Sequence, residues 1–167
     1  MNFSFRTLNS EDAEAWVALR LEGVQQYPLG FLVTEKEALS MKPERASSIL
    51  NLGKTCGVFD HELLIGFCGF RPESLEQTKH RAELGPFFVK SAYHGTGAAD
   101  TLMHGVIAEA KRVNIEQIEL FVDTENKRAL QFYLRHGFEV IATHPDGVRI
   151  AGQQRDDYFC RLRISNS

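Results

Sequence analysis

Residues 3–8, Phe-Ser-Phe-Arg-Thr-Leu, alternate apolar and polar positions as a short strand does, and the period then lengthens. Ser10-Glu11-Asp12-Ala13 supplies a helix start, and Ala15, Trp16, Leu19, Leu21 and Val24 follow at helical spacing until Tyr27-Pro28. Two more helical stretches are predicted, over 34–41 and, after Pro43, over 44–52, ending at Gly53. The period then returns to two: 55–59 and 63–70 read as a hairpin about Asp60-His61-Glu62, with a third strand at 81–89 after a polar turn over 72–80. Beyond it the pattern predicts a long helix over 97–113, a strand over 118–122, a helix over 126–136 and strands over 139–143 and 157–164, with a loop over 144–155. Neither a repeat nor a linker interrupts this order, so residues 1–167 are expected to form a single domain. The predicted class is α+β, with a mixed, mostly antiparallel sheet of about seven strands.

The two late helices are the best defined. In the long one, Ala98, Leu102, Val106 and Ala110 recur every four residues beside Ala99, Met103, Ile107 and Val113, giving one broad apolar stripe. The shorter one ends at Gly137-Phe138. That glycine suits the left-handed conformation past a helix end, and Phe138 is expected to fold back on Tyr133 or Phe132.

Composition and charge narrow the function classes. The formal net charge is -3, which offers no general attraction to phosphate backbones or anionic lipid, so neither nucleic acid nor membrane is the expected partner. No stretch approaches the roughly 18 apolar residues of a membrane span, and the first residues lack the basic-then-apolar build of a signal peptide; a cytoplasmic protein is expected. Cys56, Cys68 and Cys160 are widely spaced and read as core thiols, while the six histidines show no ligand spacing, so no metal is expected. Phe3, Phe5, Phe87, Phe121 and Phe159 fall in predicted strands and are assigned to the core.

Candidate chemistry centres on His94-Gly95-Thr96-Gly97-Ala98-Ala99, where an apolar strand gives way to the long helix. A helix start presents unpaired N–H groups and the positive end of the macrodipole, and glycines remove the side chains that would keep an anion away. The same glycines would also serve a plain tight turn. Three phosphate-binding designs can be compared. Gly53-Lys54-Thr55 completes a nucleotide P-loop, but Ser48 stands where its first glycine belongs and a helical pattern precedes it. A dinucleotide fingerprint needs a small residue at 100, where Asp100 would face the pyrophosphate. The remaining form, [Q/R]-x-x-G-x-[G/A], is met at its glycine and its final small residue.

With this turn, and with Asn126, Ala129-Leu130-Gln131-Phe132-Tyr133 and Gly137-Phe138 following in order, the chain resembles the GNAT family of acyl-CoA-dependent N-acetyltransferases over almost its whole length. The resemblance implies helices on both faces of the sheet and two splayed strands forming an acyl-CoA slot. It implies acetyl-CoA as co-substrate, its pyrophosphate on the amides of His94, Gly95, Thr96, Gly97, Ala98 and Ala99. Its pantetheine arm would lie along Phe88, Val89 and Lys90, with further contacts at Asn126 and Tyr133. His94 departs from the family's Arg or Gln, which leaves its side chain without an inherited role.

For acetyl transfer to an amine, a carboxylate must take the amine proton, and Glu83 is the candidate base; the same residue would also suit a solvent-facing pair with His80 or Arg81. Tyr133 is the candidate acid for the departing thiolate, with simple packing as the alternative. Carbonyl polarisation is assigned to a backbone N–H near Phe88 or Val89. Asp123 and Glu125 are candidates for assisting amine binding, with helix capping explaining Thr124 and Glu125 equally well. The expected function is acetyl transfer to the primary amine of a small molecule or peptide, chosen by residues 27–53 and 144–155. An acetyl-CoA sensor without turnover is the alternative, and a homodimer is compatible with the family resemblance.

Overall fold

The computed structural model describes residues 1–165. Among them are seven strands: β1 (Phe3–Thr7), β2 (Thr55–Asp60), β3 (Leu63–Pro72), β4 (Arg81–Val89), β5 (Gln117–Asp123), β6 (Glu139–Ile150) and β7 (Gln153–Arg163). Five helices accompany them: α1 (Ala13–Gln26), α2 (Glu35–Leu39), α3 (Pro43–Asn51), α4 (Ala98–Arg112) and α5 (Lys127–Arg135). The strands form one mixed sheet in the order β1-β2-β3-β4-β5-β7-β6, as expected of the α+β class. By its contacts the chain divides into two compact units, one of residues 1–71 with 86–108 and one of 72–85 with the chain from Glu109 onward.

In the first unit, β1 pairs antiparallel with β2, and β2 with β3. Helix α1 starts one 3-10 turn later than Ser10 suggests. Asn9 caps that turn, its side chain accepting from Glu11 N–H while Asp12 accepts from Asn9 N–H. A second capping box, Thr34 with Glu37, starts α2, and Pro43 occupies the first turn of α3. These helices and strands bury Trp16, Leu19, Phe31, Leu50, Phe67 and Phe88 in one cluster, with the Phe67 and Phe88 rings in edge contact at 6.4 Å. Gly23 on α1 lets Phe31 approach so closely that a Cβ there would lie 2.5 Å from its ring.

In the second unit, β4 pairs parallel with β5, and β5 and β6 both pair antiparallel with β7. The β4–β5 register holds only from Arg81↔Gln117 to Glu83↔Glu119. On its other edge β5 stays paired with β7 as far as Asp123↔Asp157. At Gly85, two residues past the last β4–β5 pair, the backbone takes a φ of 141°, open to glycine alone without strain.

Residues 144–155 are not a loop: β6 and β7 form a long hairpin that turns only at Ala151-Gly152. Register shifts between Val140 and Ala142 and between His144 and Val148 break the alternation, and Pro145 and Gly147 read locally as strand breakers although they sit in the second bulge. Phe121 also leaves its assigned place, since it is 51% exposed and not part of the core. The three cysteines are buried as core thiols, and burial pushes Cys160 up to about 11.

Candidate functional site

In the first unit, the strand end, the glycine turn and the start of α4 form a continuous stretch of backbone. Lys90 N–H donates to Ile65 O at 2.9 Å, and Phe88 O lies against Gly66, so the even-numbered residues of this strand end turn their backbone toward β3. Strand alternation therefore turns the N–H of Val89 to the opposite edge. His94 Nε2 lies 3.0 Å from Val89 O, which places a proton on Nε2, and the imidazole also rests against the Tyr27 ring at 6.0 Å.

The turn itself is anchored at Tyr93. The Tyr93 hydroxyl donates to Asp60 at 3.0 Å, while Tyr93 O accepts from both the hydroxyl and the amide of Thr96, at 2.5 and 3.3 Å. Next to that anion the Tyr93 phenol is held above its ordinary pKa. Gly95 and Gly97 have φ of 76° and 91°, and a Cβ at either would meet nothing within 4 Å. Side chains are thus excluded here by conformation and not by crowding. Among the described residues, no protein acceptor takes the amides of Gly95, Gly97 or Ala99. These donors stand at the positive end of a 15-residue helix, with Gly95 and Gly97 exposed.

In the second unit, Asn126 caps α5, its Oδ1 accepting from Ala129 N–H at 3.4 Å. The other end of α5 closes in a Schellman motif at Gly137, whose φ is 94°: Phe138 N–H donates to Tyr133 O at 3.1 Å and Gly137 N–H to Leu134 O at 3.0 Å. Tyr133 is 9% exposed, with its ring 5.6 Å from those of both Phe132 and Phe138.

Cross-strand partners project to the same side, so Glu83, Glu119, Phe121, Asp123, Phe159, Asp157 and His144 share one sheet face. Their ionic pairing is uneven. Arg81 bridges Glu119 at 2.7 Å, and Arg155 grips Asp123 in a fork at 2.5 and 3.0 Å while also bonding Glu125. Burial pushes the Asp123 carboxyl up, but the Arg155 hydrogen bonds, the Glu125 amide and the Arg155 charge together bring it below its ordinary value. Asp157 is shifted the other way, by burial first and by Asp123 second, against a smaller opposing pull from His144.

A sequence profile of the acetyltransferase (GNAT) family matches residues 10–138. The chain belongs to the GNAT acetyltransferase family. An uncharacterized N-acetyltransferase of Mycobacterium tuberculosis is 37% identical over 76 residues, 46% of this chain and 47% of that protein. The alignment thus spans about half the length of that relative. A GNAT acetyltransferase structure from Streptococcus pneumoniae superposes with a TM-score of 0.85 at 20% identity, covering 98% of this chain and all of that one. A putative acetyltransferase from Salmonella typhimurium, solved with its cofactor acetyl-CoA, gives 0.83 at 16% identity over 99% and 95% of the two chains. At such identities the superpositions establish the GNAT fold.

Within this GNAT chain, the residues singled out from sequence fall into two groups. His94, Gly95, Thr96, Gly97, Ala98 and Ala99 form one turn with Phe88, Val89 and Lys90 leading into it, all in the first unit. Glu83, Asn126 and Tyr133 belong to the second unit. Phe88 is a core side chain and the Lys90 amide is committed to Ile65, so Val89 alone of the three turns its amide away from β3. Glu83 is exposed and in register with Glu119. Asp123 and Glu125 are held by Arg155, and neither caps α5. Sequence reading passed over Asp157 and misplaced Phe121. The signal available was the alternation Asp157-Tyr158-Phe159, which puts a carboxylate and a ring on one face without showing what lies across from them.

Proposed function

We infer that this chain is an acyl-CoA-dependent N-acetyltransferase acting on the primary amine of a small molecule or peptide. The observation that carries the reading is the set of amides at Gly95, Gly97 and Ala99, left without a protein acceptor at the start of α4 in a GNAT-family chain. Such a turn suits a diphosphate: its donors lack protein acceptors, and a helix N-terminus favours the negative charge. Acetyl-CoA, the cofactor of the Salmonella typhimurium relative, would present a diphosphate to this turn and supply an acetyl thioester.

The chain's own groups then have separable tasks. Val89 N–H, on the edge turned from β3, is suited to donate to an acyl oxygen, and an amide fixed in a strand needs little reorganisation to do so. Tyr133 O–H donates a proton to the departing sulfur. A thiol with an ordinary pKa of about 8.5 leaves readily, so the acid contributes modestly. Glu83 is assigned as the proton acceptor from the amine, directly or through a water, and its exposed position suits exchange with solvent.

Following free thiol release with acetyl-CoA and a panel of primary amines tests this reading. Amine-dependent release is expected. Binding of acetyl-CoA without release for any amine would instead support a sensor, and thermal stabilisation by NAD or ATP but not by acetyl-CoA would refute both.

A further inference from the structure

Asp157 on β7 lacks the arginine partner that Asp123 and Glu119 have on the same sheet face. Arg155 neutralises Asp123 and Arg81 neutralises Glu119, but Asp157, only 7% exposed, has His144 Nδ1 at 3.9 Å as its ionic neighbour among the described residues. That distance is too long for a hydrogen bond, so the imidazole leaves the carboxylate oxygens free to accept one. Gly147, in the β6 bulge, packs directly behind: a Cβ there would stand 2.5 Å from Asp157 Oδ2 and 2.7 Å from His144 Nδ1. Around this point, residues 121–125 and 144–157 carry five carboxylates, Asp123, Glu125, Asp146, Asp156 and Asp157, against two arginines, Arg149 and Arg155. The local field is therefore strongly attractive to a cation.

A largely buried carboxylate without a close cation carries a desolvation cost that a bound cation would offset. Beside it stands an aromatic surface that the core does not use. The half-exposed Phe121 ring lies 5.5 Å from the His144 ring and 5.3 Å from that of Phe159. A recessed anion flanked by an open aromatic face is the arrangement that binds organic ammonium groups, through charge-assisted hydrogen bonds on one side and cation–π attraction on the other.

We propose that Asp157, with His144 and Phe121, forms a binding site for a primary ammonium group, the cationic end of the acceptor. Naming the ligand as the acceptor rests on the acetyltransferase reading; the ammonium site itself does not. An ammonium donates to the Asp157 carboxylate beside the His144 ring while its alkyl chain covers Phe121. The acceptor class that follows is an aliphatic amine carried as a cation, in preference to a neutral aryl amine.

The test is titration of the full chain with n-butylammonium near pH 7, followed by the ring C–H resonances of His144. A saturable shift is expected in the wild type and in the surface control Glu76→Gln. In Asp157→Asn the dissociation constant should rise by about tenfold or more, the usual scale for losing a hydrogen bond to a charged group. The neutral isostere 1-butanol should leave these resonances unmoved. An unchanged titration in Asp157→Asn, an equal response to the alcohol, or no saturable shift in the wild type would each overturn the proposal. Misfolding does not blur the result, because removing an uncompensated buried charge should leave the urea midpoint of Asp157→Asn equal to or above that of the wild type. Failure of thiol release with every amine would sink the acetyltransferase reading and leave the titration standing, whereas release with an unaltered KM for alkylamines in Asp157→Asn would sink the acceptor assignment alone.

Discussion

Phe138 N–H donates to Tyr133 O at 3.1 Å while the two rings meet edge to face at 5.6 Å, so the helix cap and the orientation of the tyrosine are one feature. The backbone bond fixes Phe138 over the last turn of α5, and the ring contact then limits the rotamers open to Tyr133. Phe138→Ala should cost about 3–5 kcal/mol, as for other buried rings, and should lower turnover through the loosened tyrosine. Tyr133→Phe keeps the packing and removes only the hydroxyl; kcat should fall while CoA affinity holds. Measuring kcat beside CoA binding for both variants checks this, and equal loss of both quantities in Tyr133→Phe would contradict the acid role.

The amide cradle makes a prediction with a built-in comparison. Gly97 and Gly53 both have positive φ, 91° and 72°, and a Cβ at either would meet nothing nearby. Gly97→Ala and Gly53→Ala should therefore lose comparable stability, about 1–2 kcal/mol. Only the first sets a methyl group beside the amides of the turn. CoA binding should weaken several-fold more in Gly97→Ala than in Gly53→Ala when both are titrated calorimetrically.

His94 ties the turn back to the strand through Val89 O. Removing it leaves a strand-edge carbonyl without its partner next to the amide assigned to the acyl oxygen. His94→Ala should weaken CoA binding by roughly fivefold, the scale of one hydrogen bond. His94→Gln keeps a donor of similar reach and should recover most of the loss. Equal affinities for the two variants would assign the histidine to packing against Tyr27 instead.

Asp123 and Asp157 face each other across β5 and β7 yet should respond to acid in opposite senses. The folded pKa of Asp123 is depressed, so its contribution to stability is fully present above its unfolded value, about 3.9, and is lost as pH falls through the folded one. That of Asp157 is raised, so the fold takes up its proton more readily than the unfolded chain does, and stability is gained as pH falls through that value. In urea midpoints recorded from pH 7 to pH 3, Asp123→Asn should flatten the acid decline and Asp157→Asn should steepen it.

The order of the elements, the family, the glycine turn and the cap at Gly137 are legible in the amino-acid order alone, because each rests on residues a few positions apart. Helical spacing sets Leu102 and Val106 on one face, and a glycine with positive φ is needed wherever a helix ends in this way. The long β6–β7 hairpin was hidden because its two bulges break the period that a strand would otherwise display. Pairing across distance comes from the fold. Arg155 meets Asp123 from 32 residues away, His144 stands across from Asp157, and Lys90 commits its amide to Ile65, which is what singles out Val89. Local sequence carries a residue's chemistry and its face, but strand register decides which residue lies opposite. That register is why one of two adjacent carboxylates is neutralised and the other is left to bind a cation.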